Sequence, residues 1–494
     1  MRTAGHRSPP SGTEHLLTSA GVVLRPALAL YLDLHAHPEP SGQEARTADR
    51  FAGRLAAAGC TVTREVGGHG VVGVLRNGDG PRVWLRAELD ALPVRERSGL
   101  PYASRTGAMH ACGHDLHLAA AAGAADLLVR LSDRWRGTLV VVGQPAEETL
   151  DGAEAMLRDG LYERFGRPGV VLAQHAAPLP AGTVAHATGL APMTAAGAVL
   201  DVVLHGRGGH AATPHLTVDP VVTAAAVVTR LQNVVARETA PADQVTLTVG
   251  TLRAGTAANV IPEHAELGIG VRASSEASLD RALTAVRRIV LAESAAANAP
   301  RDPEVRVVSR SPALWGDPRA TAAVRHAHTA LLGRGRVLAW PGSLATEDFP
   351  LFGDAGADVH GQHGIPLVYW MAGVVGADDW RRATTAGLAP EPNHSPRFAP
   401  HVGSALRPAV AALAAAALDG FTVTGKADDG GGSGAGSEGG SGPGAVPSPG
   451  GDLEHPPGTA LGVAHDVGDE GVVAGLGEGQ FDESALAGGE VEDL

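Results

Sequence analysis

Cysteine is scarce: Cys60 and Cys112 are the only thiols in 494 residues. Two thiols cannot build a disulfide framework, and a free thiolate suits a reducing compartment, so a cytoplasmic setting is expected. Aromatic residues make up 3% of the chain, so alanine, valine and leucine must fill whatever core exists. No stretch of about 18 uninterrupted apolar residues is present to span a bilayer. The N-terminus, with Arg2, Arg7, Pro9 and Pro10, lacks the clean apolar run of a secretory signal. No membrane partner is therefore expected. A basic excess is missing too: the formal net charge is −14, of which residues 1–424 carry −1, and this near-neutral remainder argues against nucleic acid as a partner.

That acidity belongs to one end of the chain. Residues 425–494 hold one lysine, no arginine and 14 acidic residues, leaving residues 1–424 with a net charge of −1. Gly430 to Gly451 is nearly all Gly, Ser, Pro and Ala, and the stretch from Asp452 to Leu494 has few residues able to build a core. The expectation is a disordered acidic, Gly-rich tail, serving as a regulatory interaction segment, a solubilising appendage or an accidental C-terminal extension. The remainder, in a chain that is 44% hydrophobic, can bury one or two substantial cores.

Chemistry concentrates in Met109-His110-Ala111-Cys112-Gly113-His114-Asp115-Leu116-His117, immediately before the apolar helical pattern Leu118 to Val129. In extended backbone, residues two apart face the same way, so Cys112 and His114 can address one ion while Gly113 lets the backbone approach. Asp115 is the expected N-cap of the helix. The alternative for Cys112 is a buried core thiol. Gly137 to Gly143 reads as a buried strand running into Glu147-Glu148. Adjacent side chains diverge there, so one carboxylate can hold a metal while the other faces a bound water; the alternative is a solvated acidic loop. Gly169 to Ala173 is a second such strand, ending at Gln174-His175. His394 lies in the proline-bracketed loop Pro392 to Pro396, before a helical stretch Val410 to Leu418; alone, it reads as a surface residue. Cys60, after an Ala-rich helical stretch, reads as core packing.

From about Gly189 the texture changes. A strand at Ala198 to Gly206 is followed by a helix at Asp219 to Glu238, strands at Gln244 to Arg253 and His264 to Arg272, and a helix at Leu279 to Leu291. This β-α-β-β-α order fits a small α+β sandwich, and candidate ligands lie on both sides of it, so it is expected as an insertion into an α/β domain. The predicted organisation is 14–188 and 309–424 for the two parts of the main domain, 189–308 for the insertion and 425–494 for the tail.

Eight strings occur in order: Leu34 to Glu39, Arg86 to Pro93, the Cys112 segment, Gln144 to Glu148, Gly208 to His215, Asn259 to Pro262, Thr346 to Phe349 and Asn393 to Pro396. On these, residues 28–418 resemble the aminoacylase and carboxypeptidase-like dinuclear metallopeptidases, in the branch of hippurate hydrolase, N-acyl-amino-acid amidohydrolases and auxin-conjugate hydrolases. The resemblance implies a catalytic domain with a central mixed β-sheet flanked by helices, and an inserted lid and dimerisation domain. It implies two divalent metal ions per subunit, zinc or manganese foremost, with cobalt or nickel compatible. Their ligands would be Cys112, His114, Glu148, His175 and His394, with Cys112 bridging both and Glu147 as general base. His210 would complete the site from the inserted domain across a homodimer interface, and Asn259 would hold substrate. Glu88 and Leu89 stand where this branch usually has Asp and Met, which bears on the residues behind the ligands. His35 and His37 form a His-x-His that is not ligating in this family; His110 and His117 are either supporting or structural. The implied activity is hydrolysis of the amide bond of N-acyl amino acids. A dipeptidase or exopeptidase on the same scaffold is the alternative, and a non-catalytic binding protein is disfavoured by the intact ligand set.

Overall fold

The computed structural model describes residues 14–423; the tail expected at 425–494 lies outside them. In chain order the strands are β1 (Thr61–Val66), β2 (Gly70–Asn77), β3 (Arg82–Glu88), β4 (Gly137–Gln144), β5 (Val170–Pro180), β6 (Val184–Ala187), β7 (Ala196–His205), β8 (Gly209–His210), β9 (Thr246–Ala254), β10 (Val260–Ile261), β11 (His264–Ala273), β12 (Glu304–Ser311), β13 (Val337–Trp340) and β14 (Leu367–Val375). Eight of them form one mixed sheet in the order β1-β2-β4-β3-β5-β14-β6-β13. The central strands β4, β3, β5 and β14 run parallel. Their apolar runs are buried without alternation because both faces are covered. Val83 and Leu85 of β3 join the core under the long helices, whereas Trp84 joins the opposite core with Met156, Leu161 and Phe352.

Small side chains replace the missing aromatics. Helix His114–Arg130 is buried nearly all round and packs against helices Leu24–Ala36 and Val402–Val423. The three meet at Gly123, where a β-carbon would lie 2.8 Å from Val410 and 3.4 Å from Ala27. Alanines 411, 412 and 414 to 417 bury the facing helix, so the close approach of backbones substitutes for bulk. Leu16–Ala36 and Val402–Thr422 are long and apolar enough to cross a membrane by length and composition. The first is broken by a short 3-10 turn at Gly21–Val23, and both contribute to the core beneath the sheet.

The second sheet, β12-β7-β11-β9, is antiparallel and carries helices Pro220–Asn233 and Glu276–Ala296. The expected β-α-β-β-α order is present, with β12 added at an edge and running past residue 308 to Ser311. The chain enters and leaves this sheet side by side, Thr194 pairing with Leu314. Asp219 caps its helix by accepting from the Val221 N–H at 2.8 Å, and the last turn, Val234–Glu238, widens into a π-helix.

One local expectation is corrected. Asp115 is not the N-cap: the helix begins at His114 behind Gly113, whose left-handed backbone lets its carbonyl accept from the N–H groups of Leu116 and His117. Asp115 thus falls in the first turn, where its carboxylate reaches His35.

Candidate metal centre

The candidate residues gather beyond the C-terminal ends of the parallel strands, where open α/β sheets bind ligands. β3 runs on into Asp90, β4 into Glu147 and Glu148, and β5 carries His175; Cys112 and His114 open the buried helix, and His394 arrives on a loop. Gly113 is required here. Its φ is +83°, and a β-carbon would sit 2.7 Å from that of Ala176, next to His175. Ala146 (φ +49°) and His394 (φ +68°) hold the same left-handed backbone despite their side chains, strain of the kind found at functional sites.

Two donor sets overlap. Cys112, His114 and His175 have ligand atoms within 4.8 Å of one another, and so do Cys112, Glu148 and His394. Cys112 belongs to both. Its Sγ lies 3.3 Å from His175 Nε2, and His394 Nε2 lies 3.4 Å from Glu148 Oε2. Hydrogen bonds on the far side of each ring fix the tautomers. His114 Nδ1 donates to the Asp90 carbonyl at 2.9 Å and His175 Nδ1 to the Ala176 carbonyl at 2.8 Å, turning each Nε2 towards the cluster. His114 Nε2 and Glu148 Oε1 are buried without a hydrogen-bond partner. Orphaned acceptors among thiolate, imidazole and carboxylate donors are what a divalent cation satisfies. Burial opposes the Cys112 thiolate, but the imidazoles of His175, His114 and His394 outweigh it and hold the thiol well below its ordinary range.

Among the other histidines, His117 forms a further donor group with Glu88 and His114. His117 accepts from the Ala176 N–H and donates to Glu88, each at 2.7 Å, so both nitrogens are engaged behind the ligands. Burial pushes His110 down to about 4 and keeps it neutral. His35 is buried between Asp115 and Glu96, while His37 is exposed and bonds to the Asp33 carbonyl. Cys60 is core, as expected.

Glu147 is 5% exposed and its carboxylate lies with those of Glu347 and Asp348. Burial, then the charges of Glu347 and Glu148, push its carboxyl well above the ordinary range. Arg86 offsets this acidity, donating to Glu347 at 2.8 Å, Asp348 at 2.9 Å and the side chain of Gln144 at 2.8 Å, and also to Glu88. Sequence reasoning gave no role to Arg86, Asp90, Glu347 or Asp348. The available signal was an arginine inside the apolar run Val83 to Ala87, since a buried guanidinium demands acidic partners.

His210 and Asn259 stand apart. They are exposed on the β8–β10 ribbon of the inserted domain, where the Ala211 N–H donates to the Asn259 carbonyl at 3.1 Å. His210 Nδ1 accepts from the Ala212 N–H at 2.9 Å.

Residues 84–376 match the model of peptidase family M20/M25/M40. N-acetylcysteine deacetylase of Bacillus subtilis is 32% identical over 70% of this chain and 88% of its own length. N-acetyldiaminopimelate deacetylase of Bacillus velezensis is 44% identical over 41% of this chain, which spans little more than half (54%) of that relative. Among solved structures, the YXEP protein of Bacillus subtilis, described as a dinuclear metal-binding peptidase of the M20 family, superposes with a TM-score of 0.65 at 27% identity, covering 81% of this chain and 99% of its own.

Proposed function

The chain belongs to peptidase family M20/M25/M40, and from that premise we propose that it is a metal-dependent amidohydrolase cleaving N-acyl amino acids, or related amino-acid conjugates, to a carboxylic acid and a free amino acid. The observation that carries this reading is a pair of donor sets sharing Cys112 beside a buried acid, Glu147. Relatives named as deacetylases of N-acetylated amino acids support the substrate class.

Cys112, His114, Glu148, His175 and His394 would hold two divalent ions, with Cys112 shared between them. Bound there, the ions supply Lewis acidity towards the amide carbonyl and the attacking water. Zinc or manganese suits the mixed donor set, and cobalt or nickel is compatible with it. Glu147 takes the proton of that water and returns it to the leaving amine; an acid raised by burial suits both halves of the transfer. His114 and His175 are presented by the hydrogen bonds from their Nδ1 atoms, and Arg86 keeps the acids around Glu147 from expelling it.

His210 is assigned as the donor to the developing oxyanion, supplied across a homodimer interface formed by the inserted domain, and Asn259 as a substrate contact. Because its Nδ1 accepts a backbone N–H, neutral His210 carries its proton on Nε2, free to donate. Val221, Val222, Leu252 and Val260 are exposed on the same domain, and β9 is an edge strand, features that suit pairing with a second copy. A cytoplasmic location is part of the proposal and is supported by two free cysteines.

The test is release of free amine from a panel of N-acetyl and N-benzoyl amino acids and of dipeptides, with and without chelator. Chelator-sensitive cleavage of the N-acyl substrates is expected. Preference for dipeptides would replace this reading by an exopeptidase, and cleavage of neither class would sink it.

A further inference from the structure

The His-x-His of residues 35–37 has no place in the metal centre, yet His35 is one of the most constrained side chains near it. Its ring is 1% exposed. Nδ1 lies 2.7 Å from Asp115 Oδ2 and Nε2 3.1 Å from Glu96 Oε1, both carboxylates being fully buried. A neutral imidazole has one N–H and could donate to only one of them; two facing carboxylates call for the doubly protonated ring. Tyr31 and Tyr102 pack around it and bring no further charge at neutral pH.

Each carboxylate leads to a different ligand. Asp115 directly follows His114. Glu96 lies in the segment 93–108, which has no helix or strand and is closed at its base by the Leu92–Met109 bridge. The next residue, Arg97, donates its N–H to the Pro396 carbonyl at 2.6 Å, two residues beyond His394. We infer that His35 is a positioning residue of the metal centre: it ties the His114 helix, through Asp115, to the strap that holds the His394 loop, through Glu96 and Arg97. One buried cation thereby fixes the separation of ligands from two parts of the chain 280 residues apart. Without it, Glu96 keeps only contacts within its own strap, from the Ser98 hydroxyl and the Ser104 N–H, and the strap loses its side-chain tie to Asp115 and the His114 helix.

The inference rests on the metal reading above, and the test separates the two. Full-length wild type, His35→Gln and His37→Gln are loaded with cobalt(II) and challenged with excess EDTA, while the cobalt–thiolate absorption is followed. His35→Gln should lose cobalt faster by about tenfold or more, the scale of effect expected when a group orienting a ligand is removed. His37→Gln should match wild type. Wild-type retention in His35→Gln, or a lowered melting temperature of the metal-free variant with an unchanged release rate, would overturn the positioning role. If His35→Gln does not fold, Glu96→Gln replaces it; it should also accelerate release, and wild-type retention there overturns the inference equally. Wild type that takes up no cobalt would overturn the metal reading itself, and this inference with it.

Discussion

The two sheets of this protein are built to different rules. In the eight-stranded sheet the central strands are buried on both faces; His175 lies on one of them, His114 opens the buried helix with Cys112 in the turn before it, Glu148 sits in the turn that follows β4, and His394 arrives on a loop. In the four-stranded sheet burial alternates along β11, and His210 and Asn259 sit exposed on a two-stranded ribbon held by backbone hydrogen bonds. The first arrangement fixes ligand geometry within one chain. The second presents groups outward, to whatever approaches. The difference teaches that the candidate donors meet within one chain, whereas on the proposed reading the oxyanion contact comes from a second copy.

The sharpest way to break this contrast is to delete the residue shared by both donor sets. Cys112→Ala should lose both ions by metal analysis, whereas Cys60→Ala, a core thiol, should keep them. Two ions still bound to Cys112→Ala would remove the bridge. On the inserted side, His210→Ala should lower kcat by about 10²–10³ with metal content unchanged. Mixing it with Glu147→Gln should restore activity if subunits exchange, since one site of each heterodimer is then intact. No recovery despite demonstrated exchange would place His210 within its own chain's chemistry, or outside it.

Glycine substitutions probe the same contrast through stability. Gly113→Ala meets Ala176 in a left-handed conformation and should cost about 2–4 kcal/mol in denaturant unfolding. Gly250→Ala on β9 meets nothing within 4 Å and should change stability by about 0.5 kcal/mol or less. Equal effects would mean that the turn at the cluster is as permissive as the inserted sheet. A further probe is one of pH. Burial opposes the charge on His35, but Asp115 and Glu96 raise it to about 10. A folded pKa above the unfolded value contributes stability that is whole below about 6.5 and lost as pH rises through about 10. The melting temperature of wild type should therefore fall across that window more than that of His35→Gln, and parallel curves would contradict it.

Much of the centre was legible in the sequence because metal-ligating residue types are rare and their spacing is short, as in Cys112-Gly113-His114. The buried strands were legible as unbroken apolar runs. What was not legible depended on long-range pairing. Arg86 meets Glu347 and Asp348 across more than 260 residues, and nothing local announces those partners. The helix start was misread because Asp115 is a good cap by type, while the left-handed turn at Gly113 starts the helix two residues earlier. β12 was missed as an edge strand of the inserted sheet, since mostly exposed residues blur its period.

The central claim is that adjacent carboxylates divide the work, Glu148 holding metal and Glu147 moving the proton. Metal content and turnover of Glu147→Gln and Glu148→Gln, measured side by side, test it most directly. The account predicts that Glu147→Gln keeps its metal while kcat falls by about 10²–10⁴, and that Glu148→Gln loses metal and activity together. Near-normal turnover in Glu147→Gln, or full metal occupancy in Glu148→Gln, would contradict it.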